Sequence, residues 1–257
     1  MVKPLFKWPG GKTDEIQQIL TYIPDNIEYY IEPFVGAGAL FFHLQPTKAV
    51  VNDVHKELVD LYRTIQDGKS ECIYDFMETH PNNEDTYYEV RSIIPSNELE
   101  NASKFYYLRK TCYRGMSRYN KRGEFNICFG RYKNITYDTL LDKSYEDLLR
   151  RTKIFNCDFE EIFENYNSAD NFMFLDPPYD CDYTDYGYCK FGQEEHRRLA
   201  ECFKSTNIRC LMVIGKTPFI EELYDGYIAG EYDKRYRIKI HSNRVNSSAI
   251  HLVIKNY

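Results

Sequence analysis

A strand–turn–helix rhythm that stops near residue 55 and resumes near residue 150 most constrains how this chain of 257 residues can fold. Tyr29-Tyr30-Ile31 reads as a buried strand running into Glu32-Pro33-Phe34-Val35-Gly36-Ala37-Gly38, and 39–44 as the helix after that turn. A second strand at 49–51 ends in Asn52-Asp53 and precedes a helix over 56–66. Beyond residue 150 the spacing predicts strands at 153–157, 171–175 and 209–214, a helix at 194–204, and a closing strand pair at 236–241 and 249–254. At the start, 13–22 reads as a short helix capped by Thr13 or Asp14 and stopped by Pro24. Between the two α/β stretches the periodicity is helical, and 119–132, turning at Lys121-Arg122-Gly123, reads as a hairpin or extended loop. The economical architecture is an α/β sheet built from 1–54 and 150–257, with 55–149 inserted as a mostly helical unit that carries a β-hairpin.

No segment approaches the roughly 20 apolar residues that cross a bilayer, and 1–9 lacks the apolar run of a signal peptide. A soluble, cytoplasmic protein without a membrane partner is expected, with apolar residues at 43% sufficing for a sizeable core. The eight cysteines form no C-x-x-C pair and the six histidines no H-x₃₋₅-H pair, so free thiols in a reducing compartment and no metal are expected. The net charge of −6 hides an asymmetry: 104–133 holds nine Lys/Arg and one acid, a local balance of +8. Phosphate binding needs only a local basic face, because salt confines its field to about 8–10 Å. Such a run is often no more than a solvated surface. Here Tyr106, Tyr107, Tyr113, Tyr119, Phe125, Phe129 and Tyr132 are interleaved with the bases, and cations alternating with rings suit a nucleic acid.

Three motifs bear on chemistry. Gly36-x-Gly38 between a strand and a helix lets backbone approach a ligand, although a plain tight turn reads equally well. A dinucleotide fingerprint would need glycine at position 41, which is Phe41, so a Rossmann dehydrogenase is disfavoured. Asp53, ending the next strand, is placed to accept ribose hydroxyls, and with the glycines it suggests a nucleoside-bearing cofactor. Gly10-Gly11-Lys12-Thr13 resembles the end of a phosphate loop, but Phe6 stands where the earlier glycine belongs and no strand precedes it. The third motif, Asp176-Pro177-Pro178-Tyr179, closes a strand with a rigid corner. The Asp176 carboxylate and Pro177 carbonyl can then accept the two N–H donors of an exocyclic amine while the Tyr179 ring stacks on the base.

Phe6-Lys7-Trp8-Pro9-Gly10-Gly11-Lys12, Glu32-Pro33-Phe34-Val35-Gly36-Ala37-Gly38, Asn52-Asp53 and Asp176-Pro177-Pro178-Tyr179, in that order, resemble the Dam-type, or D12 class, N6-adenine DNA methyltransferases. The segments 113–120 and 122–133 are similar to that family's target-recognition hairpin, and Ile254-Lys255-Asn256-Tyr257 to its usual end. The resemblance covers nearly the whole chain. It implies a Rossmann-like sheet that binds S-adenosylmethionine, releases S-adenosylhomocysteine, needs no metal, and methylates a flipped adenine in a short palindromic site of double-stranded DNA. Carried over by residue, it implies that Trp8, Lys12, Phe34, Gly36, Gly38, Asp53, Asp158 and Asp176 hold the cofactor. Asp176, Pro177, Pro178 and Tyr179 would carry the chemistry.

Lys7 would meet the first base pair and Arg118 a later one, with Tyr113 on the base left unpaired and Met116 and Cys128 wedging the stack. Asn120 and Arg122 belong to the same hairpin, and Arg131 and Tyr132 would hold phosphates. Lys7 and Arg118 match the family's GATC readers, with CATG or a degenerate site as alternatives. Arg114, Met116 and Cys128 stand where the family commonly has Asn, Leu and Pro, and Asn134-Ile135-Thr136 replaces a basic run. Rival readings are a methyltransferase for cytosine N4, RNA or a protein amide, and a catalytically inactive DNA-binding relative. A monomer or weak dimer is expected, with a cognate restriction endonuclease as a further partner.

Overall fold

The computed structural model describes residues 2–120, 122–180, 191–235 and 248–257. Among them, seven strands form one sheet: β1 (Tyr30–Glu32), β2 (Ala49–Asn52), β3 (Thr152–Phe155), β4 (Phe172–Leu175), β5 (Arg209–Gly215), β6 (Ile228–Arg235) and β7 (Ser248–Lys255). The helices are α1 (Ile16–Leu20), α2 (Ala39–Leu44), α3 (Lys56–Gln66), α4 (Ser70–Thr79), α5 (Glu84–Ser92), α6 (Glu98–Thr111), α7 (Lys143–Arg150), α8 (Phe159–Asn165), α9 (Gln193–Ser205) and α10 (Pro218–Leu223). The sheet runs β3-β2-β1-β4-β5-β7-β6, parallel from β3 to β5 and antiparallel where β7 joins β5 and β6. This is a Rossmann-like α/β fold: the sequence rhythm implied an α/β sheet, and the family resemblance its Rossmann-like form.

Central strands are apolar on both faces because helices cover both sides. Tyr30, Val51, Phe172, Phe174, Leu211 and Val213 point into one core with α2 to α7. Ile31, Val50, Met173, Leu175, Met212 and Ile214 point into the other, under α8 to α10. The strand expected at 249–254 is part of β7, whereas the one expected at 236–241 lies outside the described residues, as does the turn residue Lys121. On its outer edge β7 pairs with β6, which was not foreseen. The helix expected over 13–22 shrinks to α1, whose cap residue Glu15 makes no side-chain capping bond. Its carboxylate turns to Tyr232 and His251 on the sheet instead.

The basic, tyrosine-rich stretch departs most from its expected role. α6 is buried around most of its circumference by its neighbours, so Tyr106 and Tyr107 are core side chains and not stacking platforms. Tyr119 is buried too, donating to Glu57 at 2.5 Å, and Phe125 and Phe129 pack against the core, which leaves Tyr113 exposed. Arg109 is 2% exposed and donates to the carbonyls of Gly115 (2.5 Å), Met116 (2.8 Å) and Lys7 (3.1 Å). The expected hairpin is reduced to two antiparallel bridges, Cys112 to Phe129 and Tyr119 to Phe125. Side chains take carbonyls that a longer ladder would use: Arg109 those above, and Tyr87 and Arg91 that of Ile127.

Arg109→Met therefore strands the carbonyls of Gly115 and Lys7 beneath the hairpin and leaves that of Met116 only the Cys112 thiol at 3.5 Å. Guanidine unfolding should report a loss of about 3 kcal/mol, since each buried group left without a partner costs about 1–3 kcal/mol.

Candidate active site

The strand order reverses between β1 and β4, and such a switch point opens a crevice at the carboxyl ends of the strands. The turn after β1 supplies Phe34, Gly36 and Gly38, the end of β2 supplies Asp53, and the end of β4 supplies Asp176, Pro177, Pro178 and Tyr179. Trp8 and Lys12 close one side, and Asp158, just after β3, the other. Residues from 8 to 179 thus line one crevice of about 520 Å³, within the roughly 300–1,000 Å³ of small-molecule sites. Every cofactor and catalytic residue expected from the sequence contributes to that lining.

Asn52 fastens the loops together, a role the sequence reading missed. Its amide donates to the carbonyls of Pro33 and Cys157, each at 3.0 Å, and its oxygen accepts from Cys157 N at 3.0 Å. One buried side chain thereby ties the turns after β1 and β3 to the end of β2. Asp53 adds a second tie, accepting from the backbone N–H groups of Gly36 and His55 at 2.9 Å each. Burial pushes its carboxyl up to about 6 against the pull of those N–H groups. Glu32 is buried deeper, accepts a hydrogen bond from Tyr30, and is raised to about 8 by desolvation. It is therefore largely uncharged at neutral pH.

Gly36 has φ +48 and lies under the indole of Trp8; a Cβ there would come within 2.9 Å of Trp8 Nε1. At the other wall, Asp176 pairs with Lys12. A quarter of the Asp176 side chain is open to the crevice, yet protein surrounds it, so desolvation raises its pKa in spite of Lys12. The Tyr179 ring stands 5.0 Å from Lys12 Nζ and against Gly215, where a Cβ would reach 3.3 Å from the ring. A rigid corner with two oxygen acceptors and one aromatic face thus shares a crevice with a glycine turn and a strand-end carboxylate.

The sequence matches the D12 class N6 adenine-specific DNA methyltransferase family over residues 8–240. The chain belongs to this family. It is 56% identical, over 100% of both chains, to the Type II methyltransferase M.CviBI of Paramecium bursaria Chlorella virus NC1A. It is 31% identical to the Type II methyltransferase M.MjaIII of Methanocaldococcus jannaschii, covering 100% of this chain and 99% of that one. To the DNA adenine methylase of Haemophilus influenzae the identity is 32%, over 87% of this chain and 83% of the relative. The protein is thus an adenine-specific DNA methyltransferase, and DNA is its substrate.

Other lining residues of the methyltransferase carried no sequence signal. Phe159 and Phe191 form apolar walls, and Arg198 on α9 reaches across to the rim. Arg198 bonds Asp158 at 2.9 Å and Glu160 at 2.8 Å, while Asp158 caps α8 through Glu160 N at 3.0 Å. Among the described residues no group of His, Cys, Asp or Glu is arranged to hold a metal. Likewise, no described helix is long and apolar enough to cross a membrane.

The residues expected to meet DNA fall into two groups. Lys7, Tyr113, Met116 and Cys128 are brought together: Tyr113 N donates to Cys128 O at 2.9 Å, Gly115 lies on Lys7, and Arg109 ties Lys7 to Met116. Lys7, Tyr113 and Cys128 are exposed there. Arg118 is also exposed but is held by Asn126 at 2.8 Å. The Asn120 side chain closes the turn, accepting from Arg122 N and Glu124 N and donating to Glu124, while Arg122 stays exposed. Arg131 stands apart, paired with Glu84 at 3.0 Å, and Tyr132 is half-buried with its carbonyl accepting from Asn82.

Gly36→Ala would place a methyl group against the indole on a backbone unsuited to alanine, so a stability loss of about 1–3 kcal/mol is expected. Trp8 is the only tryptophan. Its emission spectrum should shift in the same variant, and an unchanged spectrum would contradict the packing described.

Proposed function

We propose that the protein transfers a methyl group from S-adenosylmethionine to N6 of an adenine flipped out of a short palindromic duplex site, GATC first among the candidates. The observation that carries this reading is that the Asp176-Pro177-Pro178-Tyr179 corner and the Gly36–Asp53 pocket open into one crevice. The lining fits such a cofactor. Asp53 retains lone pairs for ribose hydroxyls beyond the two backbone groups it binds, and the bare Gly36 backbone lies beneath Trp8. Phe34 adds an apolar wall, while Gly38, Lys12 and Asp158 complete the pocket. When bound, the cofactor supplies an already activated methyl group.

The chain's own part is positioning. Asp176 and the Pro177 carbonyl each accept one N6 hydrogen, so the nitrogen lone pair is directed away from the ring and towards the donor. Pro178 holds the corner stiff, and Tyr179 stacks on the extruded base, offsetting a flipping cost of a few kcal/mol. The proton that N6 loses passes to Asp176, whose raised pKa suits it to hold one briefly. Residues 55–149 serve as the recognition unit, inserted between catalytic parts 1–54 and 150–257. Lys7 of the catalytic part and Tyr113, Met116, Arg118, Asn120, Arg122 and Cys128 of that unit face bases, and Arg131 and Tyr132 phosphates. For Arg131 that means giving up Glu84 to a phosphate on binding. Two similar proteins bear Type II names, which supports looking for a cognate endonuclease.

Incubating the protein with mixed-sequence plasmid DNA and labelled cofactor, then mapping methylated positions, should give N6-methyladenine in GATC. Methylation confined to other sequences would overturn that site. Asp176→Ala should lower turnover at least about a hundredfold while DNA affinity is kept; wild-type turnover would refute its role.

Asp53 sets a pH dependence. Its carboxyl, raised to about 6, gains a proton as pH falls through that value and loses acceptor capacity. Cofactor affinity, read by Trp8 fluorescence, should be level above pH 7 and weaken progressively below about 6. An affinity indifferent to pH between 5 and 7 would remove Asp53 from the ribose.

A further inference from the structure

Directly behind the crevice lies a cluster of buried charge that the proposed mechanism does not use. Glu15 is 2% exposed. Its carboxylate meets Tyr232 Oη and His251 Nδ1 at 2.6 Å each, and pairs with Lys234 Nζ at 2.8 Å. Burial works to raise its pKa, but His251, Lys12, Lys234 and Tyr232 together hold it down at about 2, so the group is an anion. Tyr232 and His251 oppose each other across the β6–β7 ladder, and Lys234 follows two residues on along the same face.

Glu15 is joined to the catalytic corner by two routes. Lys12 is one turn away, with Glu15 N donating to Lys12 O at 2.8 Å, and the Lys12 ammonium pairs with Asp176. His251 presents its ring edge-on to Tyr179, with centroids 5.4 Å apart at 86°. A purely structural contact here would need no charge: Ile16 and Ile19 fill neighbouring buried positions without one. Burying an ion costs several kcal/mol before its partners compensate.

We infer that Glu15 is a positioning residue for methyl transfer, acting through Lys12 on the acceptor strength of Asp176 and through His251 on the orientation of the Tyr179 ring. The inference rests on the roles proposed above for Asp176 and Tyr179. A lone ammonium against Asp176 would draw off the negative charge that must attract an amine. Glu15 offsets that ammonium's charge through space, so Asp176 keeps its pull on N6. The titratable groups facing Asp176 are Lys12, Glu15, His251 and Glu32, the last largely protonated. The sign follows: the Glu15 anion disfavours a second anion and raises the pKa of Asp176, so removing it lowers that pKa and weakens the acceptor.

The test is single-turnover methylation of plasmid DNA against pH for the full chain, beside Glu15→Gln, Glu15→Asp and Asp176→Asn, with cofactor and DNA affinities measured in each. Glu15→Gln should lower the plateau rate about tenfold, leave both affinities unchanged, and move the acid limb to lower pH. Glu15→Asp keeps a buried charge; it should restore most of the rate and shift the limb less. An acid limb at the wild-type pH in Glu15→Gln overturns the inference, as does a Glu15→Asp rate no higher than that of Glu15→Gln, or a rate loss explained by weaker binding alone. Asp176→Asn separates the two readings. If it is inactive while Glu15→Gln matches wild type, only the inference fails; if it turns over normally, the proposed chemistry fails and the inference with it.

Discussion

Parallel pairing of β1 with β4, Tyr30 beside Phe172 and Ile31 beside Met173, is the constraint on which everything else depends. The two strands are separated by more than 130 residues of sequence, so no local preference brings them together. What does is burial. Each strand is buried on both faces, as only a central position covered by helices on both sides allows. Once the pair forms, the turn after β1 and the turn after β4 must emerge side by side. A glycine turn able to admit a ligand then faces an acceptor corner able to hold an amine.

That adjacency has an electrostatic consequence. Glu32, Asp53 and Asp176 converge on one crevice, and three ionised carboxylates there would repel one another. The structure divides the burden by environment. Glu32 is sunk deepest and raised to about 8, so it stays protonated and bonds Tyr30. Asp53 is raised to about 6 and held by two backbone N–H groups. Asp176 alone has a buried cation beside it. The acid proposed to accept hydrogens from an amine is thus the one whose charge is supported by a lysine. Lys12 is the pivot of the arrangement, which is why a Gly-Gly-Lys sequence that resembles a phosphate loop belongs here to an ion pair.

Much of the fold was legible in the sequence because its elements are locally determined. The helices over 39–44 and 56–66 were read to the residue, and the core strands to within two or three, since each combines an apolar pattern with a turn or cap at its end. The crevice lining was legible for a different reason: its residues sit in short motifs at strand ends, where few sequences satisfy the geometry. Asn52, Phe159, Phe191 and Arg198 were missed because their importance arises from contacts between distant segments. α1 was drawn too long for a similar reason. The expected caps, Thr13 and Asp14, lie before the helix, and its actual cap residue, Glu15, is engaged by Tyr232 and His251 more than 200 positions later.

The basic stretch shows why charge composition is a poor guide to surface. Positions 104–133 look like one continuous cationic face, yet the helix that begins it is the hub of its own helical layer. Arg109 is consumed inside, holding the chain's start and the hairpin base, and Lys104 donates to the Ile93 carbonyl at 2.6 Å. Arg114, Arg118, Arg122, Arg131 and Lys133 remain exposed beyond it. A chain of net charge −6 that acts on a polyanion cannot rely on its overall field; screening leaves only charges within about 10 Å of a phosphate to matter. Under the proposed function, the exposed arginines around the hairpin would give DNA one favourable approach. The inward Arg109 joins the two parts of that surface, since the guanidinium that bonds the hairpin base also bonds the backbone of Lys7 beside it.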